Sequence, residues 1–315
     1  MNELSAPVTL VASPSFSGSS VLMSELEEVV GSGIHANNEG NRYSEAELIE
    51  KIQRSNALIA VVGLETISER VLKSCPSLKF VAKYGVGLDN INQSALKNAG
   101  VGLGWTPGVN KRSVSELSMS FMLGHFRNIF NSVYLMKSGS WVKNGGFSLQ
   151  GKTLGLVGFG HIGQDLASIA RHFGMKIIYF DILDKSLEAA AIGAEYRAYD
   201  SLLEEADIIS YHVPSTDLTH HMLNGSNLSL CKSHALVINT ARGDVIDFTQ
   251  AYEYLKRGRI GGLAIDVFEV EPYLDGLSLE HDNLYMTPHI GGNAKESVEA
   301  MGRSAISHIA SYLSC

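Results

Sequence analysis

The segment "VGFGHIGQDLASIARHFGMKIIYFD" constrains the fold of this 315-residue chain more than any other stretch. Gly158, Gly160 and Gly163 lie between an apolar run and an amphipathic segment, and Asp181 ends the next apolar run. The first glycine permits a tight turn, the second lets a pyrophosphate approach the backbone, and the third lets a helix pack closely on a strand. Unpaired N–H groups at the start of that helix favour an anion. The segment therefore predicts a strand, a turn and a helix that bind a dinucleotide, with Asp181 at a ribose.

Short apolar runs alternate with longer amphipathic segments along the chain, which is typical of βαβ units and a mostly parallel sheet. Three runs predict strands of a smaller first domain, and six predict strands of a complete doubly wound domain. The runs cover residues 8–12, 57–63, 78–85, 153–159, 176–180, 207–213, 235–240, 262–267 and 284–287. The pattern predicts an α/β protein with two doubly wound parallel-sheet domains.

Residues 113–137 lie between these two sets of runs, are apolar on more than one face and contain no proline. We interpret this segment as one long, largely buried helix. Because it is too apolar to face water, it also predicts a homodimer with this helix in or beside the interface.

The composition limits the partners and the compartment. A formal net charge of -8 disfavours binding to nucleic acid or to an anionic membrane, since both require a surplus of basic residues. We therefore expect a small-molecule partner. Cys75, Cys231 and Cys315 are far apart and fit neither a metal site nor a disulfide framework. The start of the sequence lacks the pattern of a secretory leader, and no stretch is long enough to span a bilayer. These observations predict a cytoplasmic protein in a reducing compartment.

Three further stretches carry charged residues just after predicted strands, where open α/β sheets place their ligands. They are "INTARGDVID" with Arg242, "AIDVFEVEP" with Asp266 and Glu271, and "TPHIGG" with His289.

With the glycine triad and these three motifs in this order, the chain resembles the D-isomer-specific 2-hydroxyacid dehydrogenase family, nearest to its phosphoglycerate-dehydrogenase-like branch. The resemblance extends over almost the full length and includes "KYGVGLDNI" before the glycine triad. It implies that a Rossmann cofactor domain, residues 105–290, is inserted into a smaller flavodoxin-like substrate domain, residues 1–104 and 291–315. The two crossings between the domains are expected to form a hinge.

The resemblance implies that His289 is the acid/base, that Glu271 orients it and that Arg242 grips the substrate. The chemistry agrees, because reduction of a 2-oxo acid requires a proton on oxygen, and histidine donates protons near neutral pH. A nearby carboxylate favours the imidazolium form, and a guanidinium pairs with a substrate carboxylate. Glu269 is an alternative acid that fits an exposed loop; the family pattern places the acid directly before Pro272, which favours Glu271.

The resemblance also implies NAD as the cofactor, and Asp181 predicts NAD over NADP because it repels a 2′-phosphate. The expected cofactor-binding residues are Gly158, Gly160, His161, Ile162, Gly163, Asp181, His212, Val213, Pro214, Thr240, Ala241, Asp266, His289 and Gly291. For Asp266, the alternative is that it only ends a strand. His220 and His221 are interpreted as loop residues without a catalytic role, and no metal is expected.

The substrate is expected to contact Arg242 and the loop of Lys83, Tyr84, Gly85, Val86 and Gly87, whose backbone N–H groups suit an anion. The alternative for this loop is a turn that only connects a strand to a helix. Lys83 stands where phosphoglycerate dehydrogenases carry a phosphate-binding arginine, which favours 3-phosphoglycerate; alternatively, Lys83 is a solvated strand end. Reduction of glyoxylate or hydroxypyruvate, and an NADH-dependent corepressor-like binding protein, are the other hypotheses.

Overall fold

The computed structural model describes residues 7–274 and 279–314. The chain divides into two compact units, unit 1 with Met1–Asn110 and Lys295–Cys315, and unit 2 with Lys111–Ala294. The domain boundaries expected from the sequence lie a few residues earlier, at 104/105 and 290/291. The expectations for the first six residues and for Cys315 concern residues outside the described ranges.

Strands and helices alternate through most of both units. The strands are β1 (Thr9–Val11), β2 (Ile34–Ala36), β3 (Ile59–Val62), β4 (Phe80–Lys83), β5 (Gly102–Gly104), β6 (Thr153–Val157), β7 (Lys176–Phe180), β8 (Glu195–Tyr196), β9 (Ile208–Tyr211), β10 (Leu236–Asn239), β11 (Gly262–Ile265) and β12 (Leu284–Met286). The α-helices are α1 (Pro14–Ser17), α2 (Ser20–Val30), α3 (Glu45–Ser55), α4 (Glu69–Ser74), α5 (Gln93–Ala99), α6 (Lys111–Phe126), α7 (Ile129–Lys137), α8 (His161–His172), α9 (Ser186–Ile192), α10 (Tyr199–Glu205), α11 (Phe248–Lys256) and α12 (Lys295–Leu313).

Unit 1 contains a five-stranded parallel sheet in the order β2-β1-β3-β4-β5. This is the flavodoxin-like strand order. The terminal helix α12 packs against α2 and β4, so the chain returns to unit 1 after unit 2. Contact with α2 is close, because a Cβ at Gly302 would lie 2.4 Å from Leu22 Cδ1.

Unit 2 contains a seven-stranded parallel sheet in the order β12-β11-β10-β9-β6-β7-β8. Counted from β6, this is the Rossmann order with one further strand at the β11 edge. Leu236 and Ile238 belong to one hydrophobic core, whereas Val237 belongs to another. Both faces of the sheet are therefore buried, as is usual for parallel sheets.

The prediction of a single long helix over residues 113–137 is wrong. The segment forms α6 and α7, and the break lies at Asn128, whose backbone is left-handed with φ 52°. Asparagine tolerates this conformation better than most residues. α6 buries much of its surface, whereas α7 has no buried residue.

The amino edge of the seven-stranded sheet is fixed by Asp207. Its carboxylate accepts hydrogen bonds from Thr153 N at 2.8 Å, His234 Nε2 at 2.9 Å and Lys232 Nζ at 3.0 Å. Burial favours the protonated acid, but these hydrogen bonds outweigh that effect and lower the pKa of Asp207 to about 2. The carboxylate therefore links the start of β6 to the segment before β10.

Two further observations concern the cysteines and the helices. Cys75 and Cys231 are buried free thiols, and burial raises the pKa of Cys231 to about 12. Within residues 7–274 and 279–314, no helix is both long and apolar enough to cross a membrane.

Candidate active site

The glycine turn joins β6 to α8, and each of its three glycines has a spatial reason. Gly158 has φ 94°, and a Cβ there would lie 2.5 Å from His212 O. A Cβ at Gly163 would lie 2.3 Å from Gly158 O, whereas a Cβ at Gly160 would meet nothing within 4 Å. Gly160 is also the N-cap of α8 and has no side chain with which to cap it. The turn therefore leaves the helix N-terminus open and fits a pyrophosphate.

Asp181 follows β7 directly and is held beside this turn. Its Oδ2 accepts a hydrogen bond from Phe159 N at 2.7 Å, and its Oδ1 accepts one from Leu183 N at 2.9 Å. A carboxylate accepts about four hydrogen bonds, so capacity for ribose hydroxyls remains. The neighbouring Ile182 and Leu183 are exposed and carry no charge. Lys185, the nearby cation, pairs with Glu188 at 3.4 Å.

His212 follows β9 at the same carboxyl edge of the sheet. Its Nε2 is 2.9 Å from Ser210 Oγ, while its buried Nδ1 has no hydrogen-bond partner in the part of the chain that the structure describes. Burial lowers the pKa of His212 to about 3. The ring is therefore neutral near pH 7. Val213 and Pro214 continue from it toward the surface.

The turn after β10 is shaped by Asn239, for which no role was predicted from the sequence. Asn239 Oδ1 accepts a hydrogen bond from Ala241 N at 3.0 Å, and its Nδ2 donates one to Arg242 O at 2.8 Å. The Arg242 guanidinium donates to Ala241 O at 2.6 Å. Thr240 lies beside α6, with its Oγ1 3.4 Å from Ser118 Oγ. The asparagine amide thus fixes the backbone that carries Arg242.

Asp266 follows β11 and is fully buried. Its carboxylate accepts hydrogen bonds from Thr287 Oγ1 at 2.6 Å, Ile290 N at 2.8 Å and Gly291 N at 2.7 Å. Its carbonyl oxygen accepts one from His289 N at 2.8 Å. Asp266 therefore ties the whole loop after β12 to the neighbouring strand, a contact that the motif alone did not reveal.

His289 and Glu271 form a direct pair. His289 Nδ1 is 2.8 Å from Glu271 Oε2, and the side chains are 46% and 37% exposed. The His289 backbone is left-handed with φ 53°, a conformation that Asp266 stabilises through the His289 N–H. Glu271 Oε1 also accepts a hydrogen bond from Phe268 N at 3.0 Å. Glu269 does not share this contact; its Oε1 is 2.7 Å from His221 Nε2.

These residues share one location. Gly158, Asp181, His212, Arg242 and the loop of His289 all follow the carboxyl ends of strands in one parallel sheet. Open α/β sheets bind ligands at this edge. The combination of an open helix N-terminus, a guanidinium and a histidine paired with a carboxylate can hold an anionic substrate and exchange a proton with it.

The loop expected to contact the substrate lies in unit 1 and starts at the end of β4. Lys83 is 4% exposed, and its ammonium donates hydrogen bonds to Gly63 O and, at 2.7 Å, to Asn90 Oδ1. It is therefore not a solvated strand end. The Tyr84 ring is buried against Phe16, with ring centroids 5.3 Å apart.

The rest of this loop follows in a constrained conformation. Gly85 has φ 139°, a value that L side chains rarely adopt. Val86 O accepts a hydrogen bond from Trp105 Nε1 at 2.8 Å, and Gly87 is half-buried. From Gly85 to Gly87 the loop therefore presents mainly backbone groups.

Comparison with known proteins identifies the family. Residues 119–291 match the family described as "D-isomer specific 2-hydroxyacid dehydrogenase, NAD binding domain". The chain is also 38% identical over 274 residues to glyoxylate reductase of Thermococcus litoralis, covering 84% of this chain and 82% of that protein. The chain belongs to the D-isomer-specific 2-hydroxyacid dehydrogenase family. It is an NAD-dependent oxidoreductase that acts on the CH–OH group of a 2-hydroxy acid.

Two other comparisons extend this result. D-3-phosphoglycerate dehydrogenase of Methanocaldococcus jannaschii is 38% identical over 259 residues, which cover 81% of this chain and 49% of that protein. A crystal structure of D-lactate dehydrogenase from Aquifex aeolicus, complexed with NAD and lactic acid, superimposes with a TM-score of 0.81 at 26% identity. That comparison covers 97% of this chain and 95% of the other. The family therefore accounts for both sheets of this chain.

Proposed function

We propose that this enzyme reduces a small, unphosphorylated 2-oxo acid, such as glyoxylate or hydroxypyruvate, to the corresponding 2-hydroxy acid. The observation that carries the proposal is the 2.8 Å pair of His289 and Glu271 at the sheet edge that also holds Arg242 and the glycine turn. A histidine with a carboxylate on one nitrogen presents its other nitrogen to a substrate in a fixed orientation.

Each catalytic side chain has one task in this proposal. Arg242 pairs with the substrate carboxylate and polarises the adjacent carbonyl. His289, protonated on both nitrogens, donates the Nε2 proton to the carbonyl oxygen as that oxygen gains negative charge. Glu271 accepts a hydrogen bond from Nδ1–H and so fixes the orientation of the ring. When bound, NADH supplies the hydride that the carbonyl carbon receives.

The cofactor is proposed to lie along the carboxyl edge of the seven-stranded sheet. The open N-terminus of α8 suits the pyrophosphate, and Asp181 accepts hydrogen bonds from the adenosine ribose. The other proposed contacts are His161, Ile162, His212, Val213, Pro214, Thr240, Ala241, Asp266, His289 and Gly291.

Asp181 makes a cofactor preference testable. A 2′-phosphate beside this carboxylate is repelled, and the exposed Ile182 and Leu183 supply no cation. We expect a higher kcat/KM with NADH than with NADPH, and a smaller ratio in Asp181→Ser. Equal efficiency with the two cofactors in the unmodified enzyme contradicts this placement.

The proposed preference for unphosphorylated acids rests on Lys83. Phosphate recognition at this position needs a cation that the substrate can reach, whereas the Lys83 ammonium is buried and bonded to Gly63 O and Asn90 Oδ1. We propose that the backbone N–H groups of residues 85–87, rather than the Lys83 ammonium, are the anion-binding groups of this loop. This leaves a distal phosphate without its expected partner.

The deciding experiment follows NADH loss at 340 nm with glyoxylate, hydroxypyruvate, pyruvate and 3-phosphohydroxypyruvate. We expect the highest kcat/KM with glyoxylate or hydroxypyruvate. A preference for the phosphorylated acid contradicts the substrate proposal but leaves the dehydrogenase assignment intact. The corepressor-like alternative requires NADH binding without turnover of any of these acids.

The surface of unit 2 supports a homodimer. Tyr134 of α7 is exposed, as are Trp141 and Phe147 in the segment that follows it. Exposed apolar patches of this kind mark protein interfaces, and we propose that a second copy of the chain covers this one. A monomer at every concentration in light scattering excludes that interface. We also propose a cytoplasmic location, consistent with the buried free thiols.

A further inference from the structure

We propose that His221, acting through Glu269, is a positioning residue for Glu271 and hence for proton transfer at His289. The inference rests on the proposed role of Glu271 and adds a second histidine–carboxylate pair to it. Neither His221 nor Glu269 contacts the reacting atoms in this account.

One loop carries both carboxylates. Glu269 and Glu271 are two residues apart, and each meets a different histidine: Glu269 Oε1 is 2.7 Å from His221 Nε2, and Glu271 Oε2 is 2.8 Å from His289 Nδ1. The loop is therefore held from two sides, with His221 on one and His289 on the other.

His221 is itself fixed by the framework of unit 2. Its backbone is left-handed with φ 45°, its N–H donates to Asp244 O at 2.7 Å, and its carbonyl accepts a hydrogen bond from Asn224 Nδ2 at 2.8 Å. The following residue but one, Leu223, forms a parallel bridge with Ile246. The ring thus projects from a backbone that is anchored to the segment after Arg242.

Among the described residues, two carboxylates and one imidazole face the His221 ring. Glu269 is the closest, and Asp247 Oδ2 at the start of α11 lies 3.9 Å from His221 Nδ1. The His220 ring stacks on it with centroids 4.1 Å apart. The nearby Asp244 carboxylate is bonded to Ser215 Oγ at 2.5 Å. Since a carboxylate only accepts hydrogen bonds, the His221 Nε2–H is the donor to Glu269.

The Glu269 backbone lies directly against the turn that carries Arg242. A Cβ at Gly243 would lie 2.2 Å from Glu269 N and 2.0 Å from Phe268 C. The other support of the loop is aromatic: Phe268 stacks on Tyr273 with centroids 4.5 Å apart. Gly243 and its turn therefore hold this backbone on one side, and displacement of Glu269 moves the backbone that leads to Glu271 on the other.

A positioning role and a purely stabilising role for this pair predict effects of different size on folding and on the reaction rate. The His221 and Glu269 side chains are 32% and 50% exposed, and exposed ion pairs contribute little to stability. Misplacement of a catalytic group by about 1 Å, in contrast, reduces rates by up to roughly 100-fold. Removal of the pair should therefore change catalysis far more than folding.

The experiment compares Glu269→Ala, Glu269→Gln and His221→Ala with the unmodified enzyme, using glyoxylate reduction across pH. The matched control is Glu253→Ala, which removes another exposed carboxylate of unit 2 that pairs with a cation, Lys256. We expect Glu269→Ala and His221→Ala to lower kcat roughly tenfold, with less change in KM. Glu269→Gln still accepts the His221 hydrogen bond and should retain most activity, and Glu253→Ala should match the unmodified enzyme.

A double variant distinguishes this inference from the proposed function. In Glu271→Gln, adding Glu269→Ala should cause no further loss of kcat, because its effect passes through the Glu271 carboxylate. If Glu271→Gln alone leaves kcat unchanged, the proposed role of Glu271 fails. If Glu271→Gln lowers kcat while Glu269→Ala does not, or if the two losses multiply, the positioning role of His221 and Glu269 is overturned. Circular dichroism and the Tm of each variant show whether a lost rate reflects unfolding; in that case Glu269→Ser and His221→Asn take the place of the alanine variants, with the same expected loss of kcat.

Discussion

The carboxyl edges of the two parallel sheets use charged residues in opposite ways. At the edge in unit 2, His289 and Glu271 are 46% and 37% exposed and contact each other. At the edge in unit 1, Lys83 and Glu65 are 4% and 1% exposed and hold backbone: Lys83 donates to Gly63 O, and Glu65 accepts from Gly63 N at 2.7 Å. A charged side chain after a strand is therefore a candidate to bind the substrate only where the surrounding structure leaves it accessible.

The physical cause of this difference is desolvation. A buried charge is costly unless hydrogen bonds replace its water, and the Gly63 peptide and Asn90 side chain supply them to the cluster in unit 1. In unit 2 the buried charged residue is Asp266, whose carboxylate accepts hydrogen bonds from the backbone of the His289 loop. These hydrogen bonds fix the loop, while the His289 imidazole stays exposed.

The substitution with the greatest effect should be His289→Ala, at the carboxyl edge of the sheet in unit 2. His289→Ala removes the proton donor but leaves the glycine turn, so turnover should fall by roughly 10²- to 10⁴-fold, the usual contribution of a general acid. NADH affinity, measured by fluorescence titration, should stay within about twofold, since one side chain contributes little to dinucleotide binding at the helix N-terminus. Retention of full activity on the best substrate removes His289 from this role.

The next greatest effect should come from Lys83→Met, at the carboxyl edge of the sheet in unit 1. Lys83→Met leaves Gly63 O and Asn90 Oδ1 without the ammonium donor, and the expected loss in the free energy of unfolding is about 3 kcal/mol. The ranking of phosphorylated and unphosphorylated acids should not change, because the ammonium is buried. Urea denaturation and the substrate panel, run on the same preparation, measure both. A changed ranking with unchanged stability makes Lys83 a substrate ligand after all.

The smallest effect concerns Asp207, at the opposite edge of the seven-stranded sheet. Its folded pKa of about 2 lies below the ordinary 3.8, so the contribution of its ionised form to stability is complete above about pH 4 and is lost as pH falls toward 2. Asp207→Asn should lower the free energy of unfolding by about 2 kcal/mol at pH 7. The gap between the variant and the unmodified protein should close at low pH, with activity per folded molecule unchanged. A gap that is constant with pH contradicts the charge-based account.

Local chemistry explains which parts of the fold and site could be predicted from the sequence. The spacing of Gly158, Gly160 and Gly163 is set by contacts within one strand, turn and helix, so it is visible in a short segment. The strands β2, β5 and β8 contain two or three residues and lie at or near sheet edges, so they carry little apolar pattern. They were not predicted.

Other features depended on distant residues. The burial of Lys83 requires Gly63 and Asn90, which are 20 and 7 residues away in sequence. The hydrogen bonds of Asp266 to residues 287–291, and the His221–Glu269 pair, also join segments far apart. Motif spacing identified the residue types at the candidate site, whereas the division between accessible and enclosed charges required the tertiary structure.

We propose that the carboxyl edge in unit 2 delivers a proton from His289, which Glu271 orients. The most direct test is the pH dependence of kcat/KM for glyoxylate reduction in the unmodified enzyme and in Glu271→Gln. Because Glu271 holds the imidazole in the orientation needed for proton transfer, its removal should lower kcat/KM roughly tenfold across the pH range. Hydroxy-acid oxidation should be slowed by a similar factor, since the same imidazole exchanges the proton in both directions. Superimposable profiles in both directions contradict the claim.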